Sequence, residues 1–231
     1  MLSTDRPTVT ERTARSMALP AAKISLGTAI AFLVLLILLH FLKPEFDPSW
    51  HFISEYALGR YGWIMVVAFL AFATSYISLF FTIRTQISRT AWGKIGLAFI
   101  LISGAGLVMG GIFITDPLGT PTENMTTSGA LHNVGGTLGM AMPFASILIT
   151  WKLSKNQAWA SARRAIIWAA VFATTGFIIS FGSLAVMLGQ SHGRFGQDVL
   201  VGWPNRLEIL GYAAWVITIA YYAIRIRNAE N

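Results

Sequence analysis

Chemistry in this chain depends on a few polar side chains that interrupt long apolar stretches. The most closely spaced are His51, Ser54 and Glu55, at positions i, i+3 and i+4, which share one face if the segment forms a short amphipathic helix. The other candidates lie near the ends of apolar stretches: Asp116, His132 and Arg206. The sequence contains no cysteine, so thiol catalysis, cysteine-based zinc sites and covalently attached haem are excluded.

Two imidazoles and two carboxylates among these candidates are of the types that bind zinc: His51, Glu55, Asp116 and His132. Zinc can take three such ligands and keep a fourth position for a water molecule, which it acidifies. A membrane-embedded hydrolase acting on a lipid would follow from such a site. The sequence has no H-E-x-x-H motif. Ser54, His132 and Asp116 have the residue types of a metal-free catalytic triad, but residue types without a known geometry are weak evidence for one.

Two further readings do not need zinc. A b-type haem would need two histidines that face each other, and His40 and His132 are the pair expected at similar depth. A binding or transport site needs only a polar pocket for a cation, a proton or an amine-bearing headgroup. In such a pocket Arg206 could pair with Glu55 or Asp116, or clamp a phosphate. The competing interpretation is a hydrogen-bonded network that only holds helix ends together.

Six apolar stretches must position these residues, and each is long enough to cross a bilayer as a helix. They cover residues 24–42, 61–83, 95–115, 129–151, 165–188 and 206–224. Hydrophobic residues make up 55% of the chain and charged residues only 12%, too few to coat a water-soluble domain. Because lipid cannot satisfy free backbone groups, we predict an all-α polytopic membrane protein. A single bundle of six transmembrane helices would occupy residues 23–226, between tails at residues 1–22 and 227–231.

The lysines and arginines predict the orientation of this bundle. Only four of the 17 fall in the loops on one side: Lys43, Arg60, Arg194 and Arg206. Loops rich in lysine and arginine stay in the cytoplasm, so both termini are expected on the cytoplasmic side. The expected location of the protein is the plasma membrane, specifically a bacterial inner membrane. All four histidines and most acidic residues then face outwards. The chain has a net charge of +7, and its basic residues occur in short clusters between spans. This distribution favours contact with anionic lipid headgroups over binding of nucleic acid, which needs the basic residues on one folded face.

Small residues at four-residue spacing mark the third and fourth stretches, at Gly106-x-x-x-Gly110 and Gly135-x-x-x-Gly139. Glycines at this spacing let two helix backbones approach closely. We therefore expect a contact between these two spans, with a homo-oligomer interface as the alternative. His132 shares the glycine-rich face of its helix, so it is expected to point into the bundle.

Several short motifs together resemble a known family. They are His51-x-x-Ser54-Glu55 followed by Gly59 and Gly62-Trp63, then Phe113-x-x-Asp116-Pro117, His132, and Gly202-x-Pro-x-Arg206. Over roughly residues 24–225 the chain resembles the bacterial six-helix membrane proteins grouped as domain of unknown function 998. In the last motif Asn205 stands where that family leads us to expect glutamine. The resemblance implies a fold and a set of polar positions, without a settled activity.

These observations predict an integral membrane protein with a polar pocket between spans two, three, four and six, open to the extracytoplasmic side. The expected function is binding, sensing or transport of a small or lipidic ligand. The alternative is the metal-dependent lipid hydrolase, so the sequence leaves open whether the protein is an enzyme. The expected pocket residues are His51, Ser54, Glu55, Asp116, His132 and Arg206, and the expected partner is the lipid bilayer.

Overall fold

A computed structural model describes residues 9–87 and 90–229, with side chains described from residue 18 onwards. Seven α-helices occur in these ranges: α1 (Val9–Leu42), α2 (Gly62–Ile87), α3 (Ala91–Ile112), α4 (Thr127–Gly139), α5 (Met142–Ser154), α6 (Arg163–Gln190) and α7 (Gly202–Ala229). Short 3-10 helices cover Ile53–Ala57, Thr122–Asn124 and Gln157–Ala162. No strand interrupts the helices within the described ranges.

Within the described residues, six stretches are long and apolar enough to cross a membrane, which confirms the predicted all-α, six-span architecture. They are Ala18–Leu42, Gly62–Ile87, Ala91–Ile112, Thr127–Ser154, Gln157–Gln190 and Gly202–Ala229. The first and last helices continue into the predicted tails, since α1 starts at Val9 and α7 ends at Ala229. Residues 1–8 and 230–231 of those tails, and Arg89 of a basic loop, lie outside the described residues.

The fourth span crosses as two helices, although the apolar stretch 129–151 predicts one. α4 ends at Gly139 and α5 begins at Met142, with Pro143 in its first turn. Proline has no N–H to donate and its ring crowds the carbonyl four residues earlier, which here belongs to Gly139. The glycines at 135, 136 and 139 also weaken the helix before that point. Pro143 was therefore the sequence signal for this break.

The spans form a closed ring in which each packs against its neighbours in chain order, and α7 returns to α1. Both described ends of the chain lie at one end of this bundle, here called the terminal end. In that half the ring is filled: Trp215 is fully buried and its Nε1 donates to Oγ1 of Thr150 at 2.8 Å. Trp159 is also fully buried and donates to Oε1 of Gln86 at 2.5 Å. These bonds connect α7 to α5, and the 157–162 turn to α2.

The opposite end, here called the distal end, consists of residues 43–61, 113–126 and 191–201. In this half α4 packs against α3, and the glycines make the contact possible. A Cβ on Gly135 would lie 2.8 Å from the Gly106 carbonyl oxygen, and one on Gly106 would overlap the Gly135 carbonyl. The predicted contact between the third and fourth spans is confirmed. A homo-oligomer interface stays a prediction.

The two halves of the fourth span differ in their neighbours. α5 packs against α6, whereas α4 has no comparable interface with α6 or α7 among the described residues. No residue of α6 beyond Ser180 is buried. The bundle is therefore closed at the terminal end and divided by a cavity at the distal end.

Candidate functional site

The loop between α1 and α2 is folded around the carboxylate of Glu55, which is 2% exposed. Oε2 of Glu55 accepts from Nδ1 of His51 at 2.8 Å and from the Phe52 amide at 3.1 Å. Oε1 accepts from the Leu118 amide, in the next distal loop, at 2.9 Å. The short helix expected to carry His51, Ser54 and Glu55 on one face begins only at Ile53, as a 3-10 turn. His51 therefore contacts Glu55 from the segment that precedes the helix. Glu55 therefore joins two distal loops.

Lys43 closes the same loop from the end of α1. Its ammonium donates to the carbonyl oxygens of Tyr56 and Leu58, and the side chain is almost completely buried. Burial lowers the pKa of Lys43, and the carboxylate of Glu45, 3.9 Å away, acts in the opposite direction. In the sequence Lys43 serves only as a topology signal, because nothing in its local pattern shows which carbonyl groups it reaches.

Two glycines of the first motif have a backbone role in this loop. Gly59 has a φ of +66°, a conformation that favours glycine. A Cβ on Gly62 would overlap the carbonyl oxygen of Ala57. The motif therefore contains one hydrogen-bonded acid, one glycine in a conformation that favours glycine, and one glycine whose Cβ position is blocked by backbone.

Arg206 is buried at the start of α7, where it holds α1 and the first distal loop. Nε donates to Nε2 of His40 at 2.8 Å and Nη1 donates to the His51 carbonyl at 2.7 Å. Nη1 also donates to the Gly202 carbonyl at 3.1 Å, and Nη2 donates to the Tyr56 hydroxyl at 2.9 Å. Arg206 thus pairs with neither Glu55 nor Asp116, and four of its five N–H donors bind protein acceptors.

This arrangement also fixes the tautomer of His40. Nε2 accepts from Arg206, so Nδ1 carries the proton that is donated to the Leu36 carbonyl at 2.7 Å. Both ring nitrogens are therefore engaged, and neither is free to ligate iron. The residues present do not fit the proposed haem site between His40 and His132.

Two other residues of the last motif, Gly202 and Asn205, also contact the loop between α1 and α2. The Gly202 amide donates to the Ser49 carbonyl at 2.9 Å, and a Cβ on Gly202 would lie 2.8 Å from the His51 carbonyl oxygen. Oδ1 of Asn205 accepts from the Ile53 amide at 3.2 Å, at the start of the 3-10 turn. Asparagine at 205 therefore has a defined local partner.

Asp116 and His132 connect α3 to α4. The Asp116 carboxylate accepts from the Thr126 amide and from its hydroxyl, both at 2.8 Å, and covers Gly129 in the first turn of α4. Nδ1 of His132 lies 2.9 Å from the Phe113 carbonyl oxygen, to which it donates. In a neutral imidazole, donation from Nδ1 leaves Nε2 as the acceptor of the ring.

The four candidate zinc ligands are thus divided between two local networks. Residues 9–87 and 90–229 contain no group of three or more histidine or acidic side chains placed to hold a metal ion. Glu55 and Asp116 instead use both carboxylate oxygens for hydrogen bonds to protein groups. The geometry does not support the metal-dependent hydrolase.

A cavity of about 950 Å³ occupies the distal half of the bundle. Ser54, Glu55, Asp116 and His132 line it, whereas His51 and Arg206 do not. The predicted wall of the second, third, fourth and sixth spans corresponds to α2, α3, α4 and α7, and all four helices line the cavity. The fifth span, α6, also lines it. Four of the six candidate residues therefore share one cavity, and Arg206 supports the loop that forms part of its wall.

The deeper wall contains polar residues outside the predicted set: Tyr76, Ser103, Ser180, Glu208 and Tyr212. Glu208 is 8% exposed, and Oε1 accepts from the Tyr212 hydroxyl at 2.9 Å. Ser180 lines the same part of the cavity wall as Glu208. Ser103 is fully buried, and its hydroxyl has no hydrogen-bond partner within the described part of the chain.

A sequence signal for this group existed. Glu208 and Tyr212 are spaced i, i+4 in an apolar span, so they share a helix face. An acid within a span is costly and usually faces the interior or a wet cavity. Ser103 and Tyr76 had no such signal, because isolated serines and tyrosines are common in membrane helices.

Comparison with known proteins identifies the family of the chain but does not identify an activity. No curated protein and no solved structure matches the chain. A family model described as "Protein of unknown function (DUF998)" matches residues 25–222. The matched region includes the Glu55 loop, the Asp116 cap of α4, the Arg206 network and the cavity. The chain therefore belongs to the DUF998 family.

Proposed function

We propose that the protein binds a small or lipidic ligand in the distal cavity, as the recognition step of a sensor or transporter. The observation that carries this proposal is a cavity of about 950 Å³ between membrane-spanning helices, with buried polar groups in its wall. Ligand sites are typically concave and mostly apolar, with a few polar groups that orient the ligand. The size and lining of this cavity match that description.

The distal polar residues support binding more than hydrolysis. Glu55 and Asp116 have both oxygens engaged by the protein, and His132 uses one ring nitrogen to hold the end of α3. These bonds occupy the carboxylate oxygens and hold the rim between the distal loops. A preorganised rim lowers the entropy cost of binding.

The proposal includes an extracytoplasmic opening in the plasma membrane, specifically a bacterial inner membrane. It is supported by the excess of lysine and arginine in the loops at the terminal end. A reporter fused after Asn231 should then be cytoplasmic, and a tag near Glu123 should be accessible from outside. The reverse labelling would contradict this orientation.

Two glycines provide a matched test of the cavity. Gly136 lines it, and a Cβ added at Gly136 would have no atom within 4 Å, so Gly136→Leu fills space without a backbone clash. Gly182 has equally open surroundings on α6 and does not line the cavity, so Gly182→Leu is the control. We expect native mass spectrometry of gently purified protein to show a co-purified ligand of defined mass. The ligand should be retained by the wild type and Gly182→Leu and depleted at least tenfold in Gly136→Leu.

Equal retention by all three proteins would show that the bound molecule does not occupy this cavity. A wild-type protein that retains no molecule under conditions that preserve its fold would also contradict the proposal.

A further inference from the structure

On the basis of this binding function, we propose that the ligand is a cationic amine on an apolar chain. Its ammonium group would bind at Glu208, and its chain would extend between α4 and α6 towards the bilayer. The supporting observations are the lack of a cationic partner for Glu208 among the described residues, the unpaired hydroxyl of Ser103 and the incomplete packing of α4.

Glu208 is an acidic side chain without a cationic partner among the described residues. It lies six residues after the start of α7, which places it about 9 Å below the distal end of that helix. The ion pairs found in the described ranges join Lys43 to Glu45 and His51 to Glu55. Arg206 is two positions away, so it points to a different side of α7, and its guanidinium group is already bound elsewhere.

A carboxylate in such surroundings needs a compensating charge or a proton, because an unpaired charge in an apolar environment is unfavourable. The Tyr212 hydroxyl donates to Glu208, and this neutral group supplies no positive charge. The ammonium group of an amine would supply the charge together with three N–H donors.

The other groups in the deep wall suit the same ligand. The Ser103 hydroxyl is fully buried at the cavity wall without a partner among the described residues, and it can accept a hydrogen bond from an ammonium group. The rings of Phe72 and Tyr76, with centroids 4.7 Å apart, also line the cavity. Aromatic faces attract cations, particularly where water is excluded.

The apolar chain has a route because the fourth and fifth spans separate in the distal half. Thr137 and Met140 line the cavity on one side of this gap, and Phe181 and Leu184 line it on the other. α4 has 13 residues and is therefore about 20 Å long, so the gap lies within roughly half the thickness of a bilayer. An amphiphile could reach Glu208 from that leaflet without crossing the membrane.

Octylamine and octanol test the charge requirement, since they share a chain length and differ in the headgroup. Equilibrium binding of each radiolabelled probe is measured with protein in neutral phosphatidylcholine nanodiscs, with empty nanodiscs as the blank. We expect the wild type to bind octylamine at least tenfold more tightly than octanol. Glu208→Gln keeps the acceptor for Tyr212 and removes the charge, so octylamine binding should fall to the level of octanol. Octanol binding should not change.

Glu123→Gln is the matched control, because Glu123 is exposed in a distal turn and does not line the cavity. It should leave both affinities unchanged, whereas Gly136→Leu should weaken both.

Equal wild-type affinities for the two probes would overturn the amine assignment and leave the binding function standing. The same holds if Glu208→Gln keeps the preference for octylamine. Failure of the wild type to bind either probe would contradict the binding function too. The wild-type comparison decides the amine assignment even if Glu208→Gln does not fold.

Discussion

Replacing Arg206 by lysine separates the geometry of its guanidinium group from its charge. The guanidinium makes four hydrogen bonds of 2.7–3.1 Å, to His40, His51, Gly202 and Tyr56. These acceptors lie on α1, on the first distal loop and on α7 itself. A lysine keeps the positive charge, but its compact ammonium group on a different stem cannot reproduce the planar fork. The substitution therefore removes bonds between elements without removing the charge.

The expected magnitude follows from the bonds that lysine leaves unmade. Hydrogen bonds to charged groups contribute roughly 1.5–3 kcal/mol each. If lysine keeps two of the four bonds, the loss of the other two corresponds to about 3 kcal/mol or more of unfolding free energy. Because the rim of the cavity rests on these bonds, ligand retention should also fall.

Unfolding of the purified protein in mixed micelles, followed by circular dichroism, measures this loss. Arg60→Lys is the control, since Arg60 is exposed and its guanidinium lies over the ring of Tyr61, 4.6 Å from its centroid. A change within about 0.5 kcal/mol is expected there. If Arg206→Lys unfolds at the same point as Arg60→Lys, the network around Arg206 is not a principal support of the distal end.

Two further substitutions probe the remaining contacts of the distal end. Gly106→Ala places a methyl group against the Gly135 carbonyl, so α3 and α4 must separate. Thermal unfolding should show a loss of about 1–3 kcal/mol, and Gly136→Ala, with open space around it, should show almost none. An equal effect of both would contradict the close contact. Glu55→Ala leaves the Leu118 amide without its acceptor, so hydrogen exchange at that amide should accelerate at least tenfold. Unchanged exchange would mean that Glu55 does not hold the second distal loop.

Local features of the sequence were sufficient for the six spans and for several contacts between neighbours. Bilayer thickness and the need to satisfy every backbone group act on each apolar stretch by itself, so no tertiary information is needed. The contact between Gly106 and Gly135 was likewise predictable, because it joins consecutive spans through residues without side chains. The expected helical face of His51, Ser54 and Glu55 was wrong for His51, which precedes the 3-10 turn and reaches Glu55 from outside it.

Long-range partners were decided only by the tertiary structure. Arg206 is 166 positions from His40, and no local pattern distinguishes that acceptor from Glu55 or Asp116. The cavity lies where α4 packs against α3 without a comparable interface with α6, whereas α5 packs against both α3 and α6. The missing interface places Glu208 in a cavity wall instead of a closed core. Spans are therefore determined by the interaction of each segment with lipid, and the candidate site by how the spans pack against one another.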